Sequence, residues 1–215
     1  MTGWMKKSFS AEGVTEWPPG PRLAEVTERF RSGGAVVLLL DVSGSMTYTD
    51  GDGVTNLERA VRGCESFIDE AIDGGYQTGL VLWSHDVQAT AAPSFDPSTA
   101  RARLAAAGGY GGGTNVFPAL AEAGRMLMQL DVDDRVIAVF GDGDLGPRER
   151  EAVALSRSLA AQGVRIITLG LGSQSAEALS VIATDETPTA TASSTTLSSD
   201  IHRMAVGIVA RQHRT

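Results

Sequence analysis

The sequence predicts an α/β fold: a doubly wound, mostly parallel six-stranded sheet with one antiparallel edge strand and helices on both faces. Three observations carry that expectation. Runs such as Val36-Val37-Leu38-Leu39-Leu40 are apolar without alternation, as in parallel strands covered on both faces. Between them lie segments of helical spacing, among them Leu57, Ala60, Cys64, Phe67, Ile68 and Ala71. Glycines and polar turns punctuate each passage, so strands and helices alternate, and no internal repeat is visible.

Taken in order, residues 1–34 read as an N-terminal arm. Trp17-Pro18-Pro19-Gly20-Pro21 breaks any regular element, and Leu23 to Phe30 has room for one short helix. Trp4, Phe9 and Trp17 are expected to pack on the surface of a single domain covering 35–212. The first strand stops at Asp41, and Thr49-Asp50-Gly51-Asp52-Gly53 follows as an acidic turn without the ligand ladder of a calcium loop. A helix stopped by Gly74-Gly75 comes next, with Cys64 on its apolar stripe as a core residue. Thr78 to Trp83 is the second buried strand. A tight turn at His85-Asp86 returns the chain as an antiparallel edge.

Asp96 and Pro97 mark the start of a short helix, as its cap and first residue. Gly108 to Gly113 is the longest glycine-rich stretch; a nucleotide-binding loop should follow a strand directly, whereas a helix precedes this one. Asn115 stands where it can cap the next helix, and Val136 to Phe140 is a strand that leads to Asp142. Pro147 opens a further helix, and Val164 to Leu171 is the next long strand. Alternating Thr187, Thr189 and Thr191 suggest the last, edge strand. Leu197 to Val209 carries the stripe of a final amphipathic helix.

The chemistry concentrates at the end of the first strand. Asp41, Ser43 and Ser45 offer one charged and two neutral hard oxygen donors in a loop at a carboxyl strand end, where ligands of open α/β sheets bind. Such donors suit Mg²⁺ or Mn²⁺ better than zinc. Asp41-Val42-Ser43-Gly44-Ser45 resembles the metal-ion-dependent adhesion site of von Willebrand factor A domains. Thr114, after the glycines, and Asp142, at the end of a strand, match the two remaining pieces of that motif in order and context. One departure is visible: the family usually has Thr-Asp-Gly at the second acidic site, and here it is Gly141-Asp142-Gly143.

The resemblance implies a Rossmann-like module, of the bacterial stand-alone type, that binds protein partners through a divalent cation, Mg²⁺ with Mn²⁺ or Ca²⁺ as alternatives. Hydroxyls matching Ser43, Ser45 and Thr114 touch the metal in the family, while carboxylates matching Asp41 and Asp142 hold its waters or alternate with direct contact. An Asp or Glu of the partner completes the shell. Bacterial cytoplasmic members act as adaptors beside AAA+ ATPases or in stress and defence systems, which makes a protein of that kind the expected partner.

Composition narrows the alternatives. The 215 residues are 42% hydrophobic, enough for one large core, and 18 basic residues against 26 acidic ones, net −8, disfavour nucleic-acid binding. No run approaches the ~20 apolar residues that span a bilayer. Lys6-Lys7 is not followed by an apolar stretch, so a cytoplasmic location and no membrane partner are expected. The single cysteine excludes an internal disulfide. Two rival readings share the strand-end aspartates: a metal-dependent phosphatase of the haloacid dehalogenase type, and a metal-free scaffold of the same fold. The phosphatase needs an aspartate two residues after the first, where Ser43 stands, and a lysine before the second acidic site; neither requirement is clearly met. No catalytic residues are therefore assigned.

Overall fold

The computed structural model describes residues 33–108, 112–184 and 190–212. The arm expected over 1–34, its short helix and the packing of Trp4, Phe9 and Trp17 lie outside these residues, apart from Gly33 and Gly34. The chain runs β1 (Gly34–Asp41), a 3-10 turn (Gly44–Thr47), α1 (Asn56–Asp73), β2 (Gln77–Trp83), β3 (Val87–Ser94) and α2 (Ser98–Ala105). It continues through α3 (Val116–Leu127), β4 (Asp134–Gly141), α4 (Glu149–Ala161), β5 (Val164–Leu171), α5 (Ser173–Ser180), β6 (Ala190–Ala192) and α6 (Leu197–Gln212).

The strands form one sheet in the order β3-β2-β1-β4-β5-β6, parallel throughout except for β3. β1 therefore lies inside the sheet with β2 and β4 as neighbours, and all eight of its residues are buried. Alternation along β1 divides the core. Val36, Leu38 and Leu40 face a layer that includes Cys64 and Phe67 of α1, Leu104 of α2 and Ile201 of α6. Val37 and Leu39 face Leu120 and Leu127 of α3, Leu159 of α4 and Leu179 of α5. Burying both faces at once is what demands an apolar residue at every position of the strand.

The helix boundaries follow local chemistry. Thr55 and Glu58 form a reciprocal capping box at the start of α1, with Glu58 N–H donating to Thr55 Oγ1 at 3.1 Å and Thr55 N–H to the Glu58 carboxylate at 2.7 Å. α2 begins one residue later than expected: Pro97 takes the cap position, and Asp96 Oδ1 accepts from Ser98 N–H at 3.0 Å. α4 likewise begins at Glu149, two residues after Pro147.

Two differences are larger. Residues 173–180 form α5, an element absent from the sequence reading because Ala176 and Leu179 alone give too little apolar periodicity to announce it. Its stability comes from packing on β5, which no local pattern records. The edge strand β6 occupies only Ala190–Ala192 with Thr191 at its middle; Thr187 and Thr189 lie outside the described residues. Among the described residues no helix is long and apolar enough to cross a membrane.

Candidate metal centre

The parallel register sets the ends of β1 and β2 side by side, Asp41 opposite Trp83, and Val42 N–H continues the ladder to Trp83 O at 2.8 Å. The chain must then leave the sheet. It does so through the 3-10 turn, pinned by the buried Met46 side chain, which keeps the intervening Ser43 and Ser45 close to the strand end.

Asp41 is fully buried. Its Oδ1 accepts Ser43 N–H at 2.8 Å, while its Oδ2 is buried with no hydrogen-bond partner among the described residues. Burial pushes the Asp41 carboxyl up to about 7; the Ser43 donors pull it back, and the nearby Asp142 charge adds to the rise. Ser43 Oγ lies 3.0 Å from Ser45 Oγ, and Ser45 Oγ donates to Asp142 Oδ1 at 2.8 Å. Asp142, half-buried just past the end of β4, is also raised, first by burial and with the Ser45 hydroxyl opposing. Its backbone carbonyl accepts Ser175 Oγ at 2.6 Å.

Thr114 reaches the same place from the loop before α3. The β4–α4 loop folds over it at Gly146, whose φ of +82° and whose close approach to the Thr114 carbonyl leave no room for a side chain; a Cβ there would stand 2.0 Å from that oxygen. Thr114 Oγ1 lies 3.1 Å from where a Cβ on Gly143 would stand, so the hydroxyl abuts the residue after Asp142. Asn115 occupies the cap position of α3, but its side chain does not cap the helix as expected. Its Nδ2 donates to His85 O at 3.3 Å and its backbone N–H to Ser84 O at 2.8 Å, tying the loop to the end of β2 instead. His85 and Asp86 are exposed turn residues, and the His85 ring lies within 3.2 Å of Ser84 Oγ.

The structure thus joins Asp41, Ser43, Ser45 and Asp142 in one polar line and sets Thr114 beside its far end. No ion pair engages either carboxylate among the described residues. Two carboxylates and three hydroxyls, with one carboxylate oxygen buried and without a hydrogen-bond partner among the described residues, are the donor types that a small hard cation takes, and a cation would reverse the burial cost that raises both groups. Clusters of three or more His, Cys, Asp and Glu side chains able to hold a metal are absent among the described residues, so any cation here depends on the hydroxyls.

At Gly141, where the resemblance expects threonine, a Cβ would stand 3.3 Å from Asp41 Oδ2 and 3.6 Å from Trp83 Cζ2. Sequence reasoning missed Ser175, which holds the Asp142 backbone, and the buried Ser84 that anchors Asn115. Ser175 sits on the helix that periodicity did not reveal, and a buried serine at a strand end carries no distinguishing pattern.

The model of the von Willebrand factor type A domain family matches residues 36–144, from the first strand through Asp142. Among solved structures, the conserved hypothetical protein BatB of Bacteroides thetaiotaomicron is similar at 20% identity and a TM-score of 0.68, over 83% of this chain and 100% of that one. An aerotolerance-related membrane protein of Bacteroides fragilis, carrying multiple mutations to serine, is similar at 26% identity and a TM-score of 0.55, over 65% of this chain and 68% of that one. The vWF domain of the type V pili tip protein Mfa5 of Porphyromonas gingivalis is similar at 14% identity and a TM-score of 0.69, over 82% of this chain and 95% of that one. The first and third likenesses are of fold alone. No curated protein matches the chain.

Proposed function

Because the chain belongs to the von Willebrand factor type A domain family, we propose that it is a divalent-metal-dependent protein-interaction module that recognises an acidic residue of its partner. The observation that carries this reading is the line from Asp41 through Ser43 and Ser45 to Asp142, which ends two strands at one edge and leaves Asp41 Oδ2 without a partner among the described residues. Ser43, Ser45 and Thr114 would hold the cation through their hydroxyl oxygens, with Asp41 and Asp142 as the charged members of the set. Mg²⁺ is the first candidate and Mn²⁺ or Ca²⁺ the alternatives. When bound, the metal supplies an electron-poor position that a partner carboxylate can fill.

The chain's own residues prepare that contact. Asp142 accepts from Ser45 and thereby orients its hydroxyl, Ser43 N–H fixes the Asp41 carboxylate, and Ser175 steadies the Asp142 backbone. A net charge of −8 would otherwise repel an acidic partner. Metal coordination turns that repulsion into a directional attraction. We read the chain as a binding module rather than an enzyme, with a cytoplasmic adaptor role beside an AAA+ ATPase or a stress- or defence-system protein as its setting.

Calorimetry with Mg²⁺ and Mn²⁺, followed by partner capture with and without EDTA, tests the proposal. One principal metal site is expected in the native chain, weakened at least tenfold in Asp41→Ala. Partner capture is expected to vanish in EDTA and to be lost in Thr114→Ala. Equal metal affinity in native protein and Asp41→Ala, or capture unaffected by EDTA, would overturn it.

A further inference from the structure

Asp142 is the one candidate ligand that sits between two glycines, Gly141 and Gly143, so its own stretch of chain does little to fix its orientation. The ladder between β4 and β5 ends one residue earlier, at the pair Gly141 and Gly170. The other loops of the centre are tied by backbone hydrogen bonds. Val42 N–H reaches Trp83 O at 2.8 Å beside Asp41, Met46 N–H reaches Ser43 O and Tyr48 N–H reaches Ser45 O at 3.1 Å each, and Asn115 N–H reaches Ser84 O at 2.8 Å beside Thr114. Among the described residues, the Asp142 carbonyl is met instead by a side chain, the Ser175 hydroxyl of α5, which donates to it at 2.6 Å.

The first turn of α5 brings Ser175 there because it lies flush on β5. A Cβ on Gly170 would stand 2.1 Å from Ala176 N and 2.5 Å from Ser175 C, so only glycine lets the helix descend to the strand end. Gly172, at φ +81°, turns the chain into α5, and its N–H donates to Ala192 O at 2.8 Å. The carbonyl that Ser175 meets belongs to the rigid peptide unit shared by Asp142 and Gly143. Holding that plane bears on both sides of it: on Asp142, whose carboxylate accepts from Ser45, and on Gly143, against which the Thr114 side chain lies.

We propose that Ser175 is a positioning residue that holds Asp142 and Thr114 at a fixed separation and thereby gives the centre a preference for Mg²⁺ over Ca²⁺. This rests on the metal-dependent reading above. Mg²⁺ demands close to one geometry, whereas Ca²⁺ accepts a range of distances and ligand numbers, so a centre that loosens loses the smaller ion first. Removing a residue that orients a metal ligand weakens binding by about 10- to 100-fold.

The test titrates the full chain with Mg²⁺ and with Ca²⁺ by calorimetry, in native form and as Ser175→Ala. The substitution is expected to weaken Mg²⁺ about tenfold and Ca²⁺ by no more than about twofold, so that the ratio of the two affinities falls about fivefold. Ser156→Ala removes another buried serine hydroxyl, one that donates to Val153 O within α4, and should leave the ratio as in the native protein. A urea midpoint for each variant separates stability from selectivity: a merely structural hydroxyl would lower the midpoint and leave the ratio alone. In EDTA, the ¹⁵N-labelled Ser175→Ala chain should show shifted or broadened amides at Gly143 and Thr114.

An unchanged ratio in Ser175→Ala, or Gly143 and Thr114 amides unmoved in EDTA, overturns the role of Ser175 and leaves the metal reading standing. Native protein that takes up neither ion sinks the metal reading, and the selectivity goes with it.

Discussion

The two edges of the sheet use aspartate in opposite ways. At the amino edge, Asp134 begins β4 and is satisfied on both oxygens: Arg165 Nε donates to Oδ1 at 2.9 Å, and an Arg165 terminal nitrogen and Tyr76 Oη each reach Oδ2 at 2.5 Å. Arg135 beside it donates to the Leu127 and Leu130 carbonyls that follow or end α3. At the carboxyl edge, Asp41 is more deeply buried; among the described residues it has no cationic partner, and the Asp142 side chain is met by the Ser45 hydroxyl alone. The first aspartate is part of a closed network that holds the fold. The second pair carries its burial without a neutralising cation among the described residues, at a cost to the fold itself.

The largest expected effect sharpens that contrast. Asp134→Ala removes the carboxylate that accepts from Arg165 and from the Tyr76 hydroxyl, and should lower stability by about 2–3 kcal/mol, read as a fall in urea midpoint. Metal affinity should be unchanged, since the substitution is at the far edge. A stability loss below about 0.5 kcal/mol would show that the amino-edge network is ornamental.

Asp41→Asn should do the reverse in EDTA: stability rises by about 1–2 kcal/mol at pH 7.5, while metal binding is lost. The sign follows from linkage. The Asp41 carboxyl titrates near 7 in the folded chain and near 3.8 when unfolded, so between those values the folded state holds a proton that the unfolded state releases. Its contribution is fully present below about pH 4 and is lost as pH rises through about 7. In EDTA the native protein should therefore have a higher urea midpoint at pH 5 than at pH 7.5, and Asp41→Asn should flatten that difference. An unchanged slope in the variant would place the pH dependence elsewhere.

The smallest effect concerns Gly141. Gly141→Thr sets a Cβ 3.3 Å from Asp41 Oδ2 and 3.4 Å from Asp41 Cβ, contacts that a few tenths of an ångström relieve, and brings a hydroxyl to the unpartnered oxygen. Stability should change by less than about 1 kcal/mol, and Mg²⁺ affinity measured by calorimetry should rise several-fold. A fall in affinity would mean that room for Trp83 and the carboxylate matters more than the missing hydroxyl.

Much of this was legible because it is written in local pattern. β1, β2, β4 and β5 are apolar on both faces, and α1 and α6 carry stripes long enough to register a 3.6-residue period. Asp41, Ser43 and Ser45 were legible for another reason: they interrupt an apolar run abruptly. α5 was not legible, since eight small, mostly polar residues gain their helix from the sheet beneath them. Asn115 misled because its cap position and its side-chain partner are different matters; the position is local, whereas the partner, the His85 carbonyl, comes from 30 residues away.

The sequence by itself determined the alternation of strands and helices, the ends of the buried strands, and which side chains could offer hard oxygen donors, because periodicity and residue type are properties of short stretches. Only the tertiary structure decided that Ser45 reaches Asp142 across 97 residues, that Thr114 lies against Gly143, that Ser175 holds the Asp142 carbonyl, and that Asp41 Oδ2 has no donor among the described residues. Those are consequences of parallel register and crossover, which bring loops distant in the chain to one edge. Whether a buried polar atom is satisfied depends on every segment that meets there.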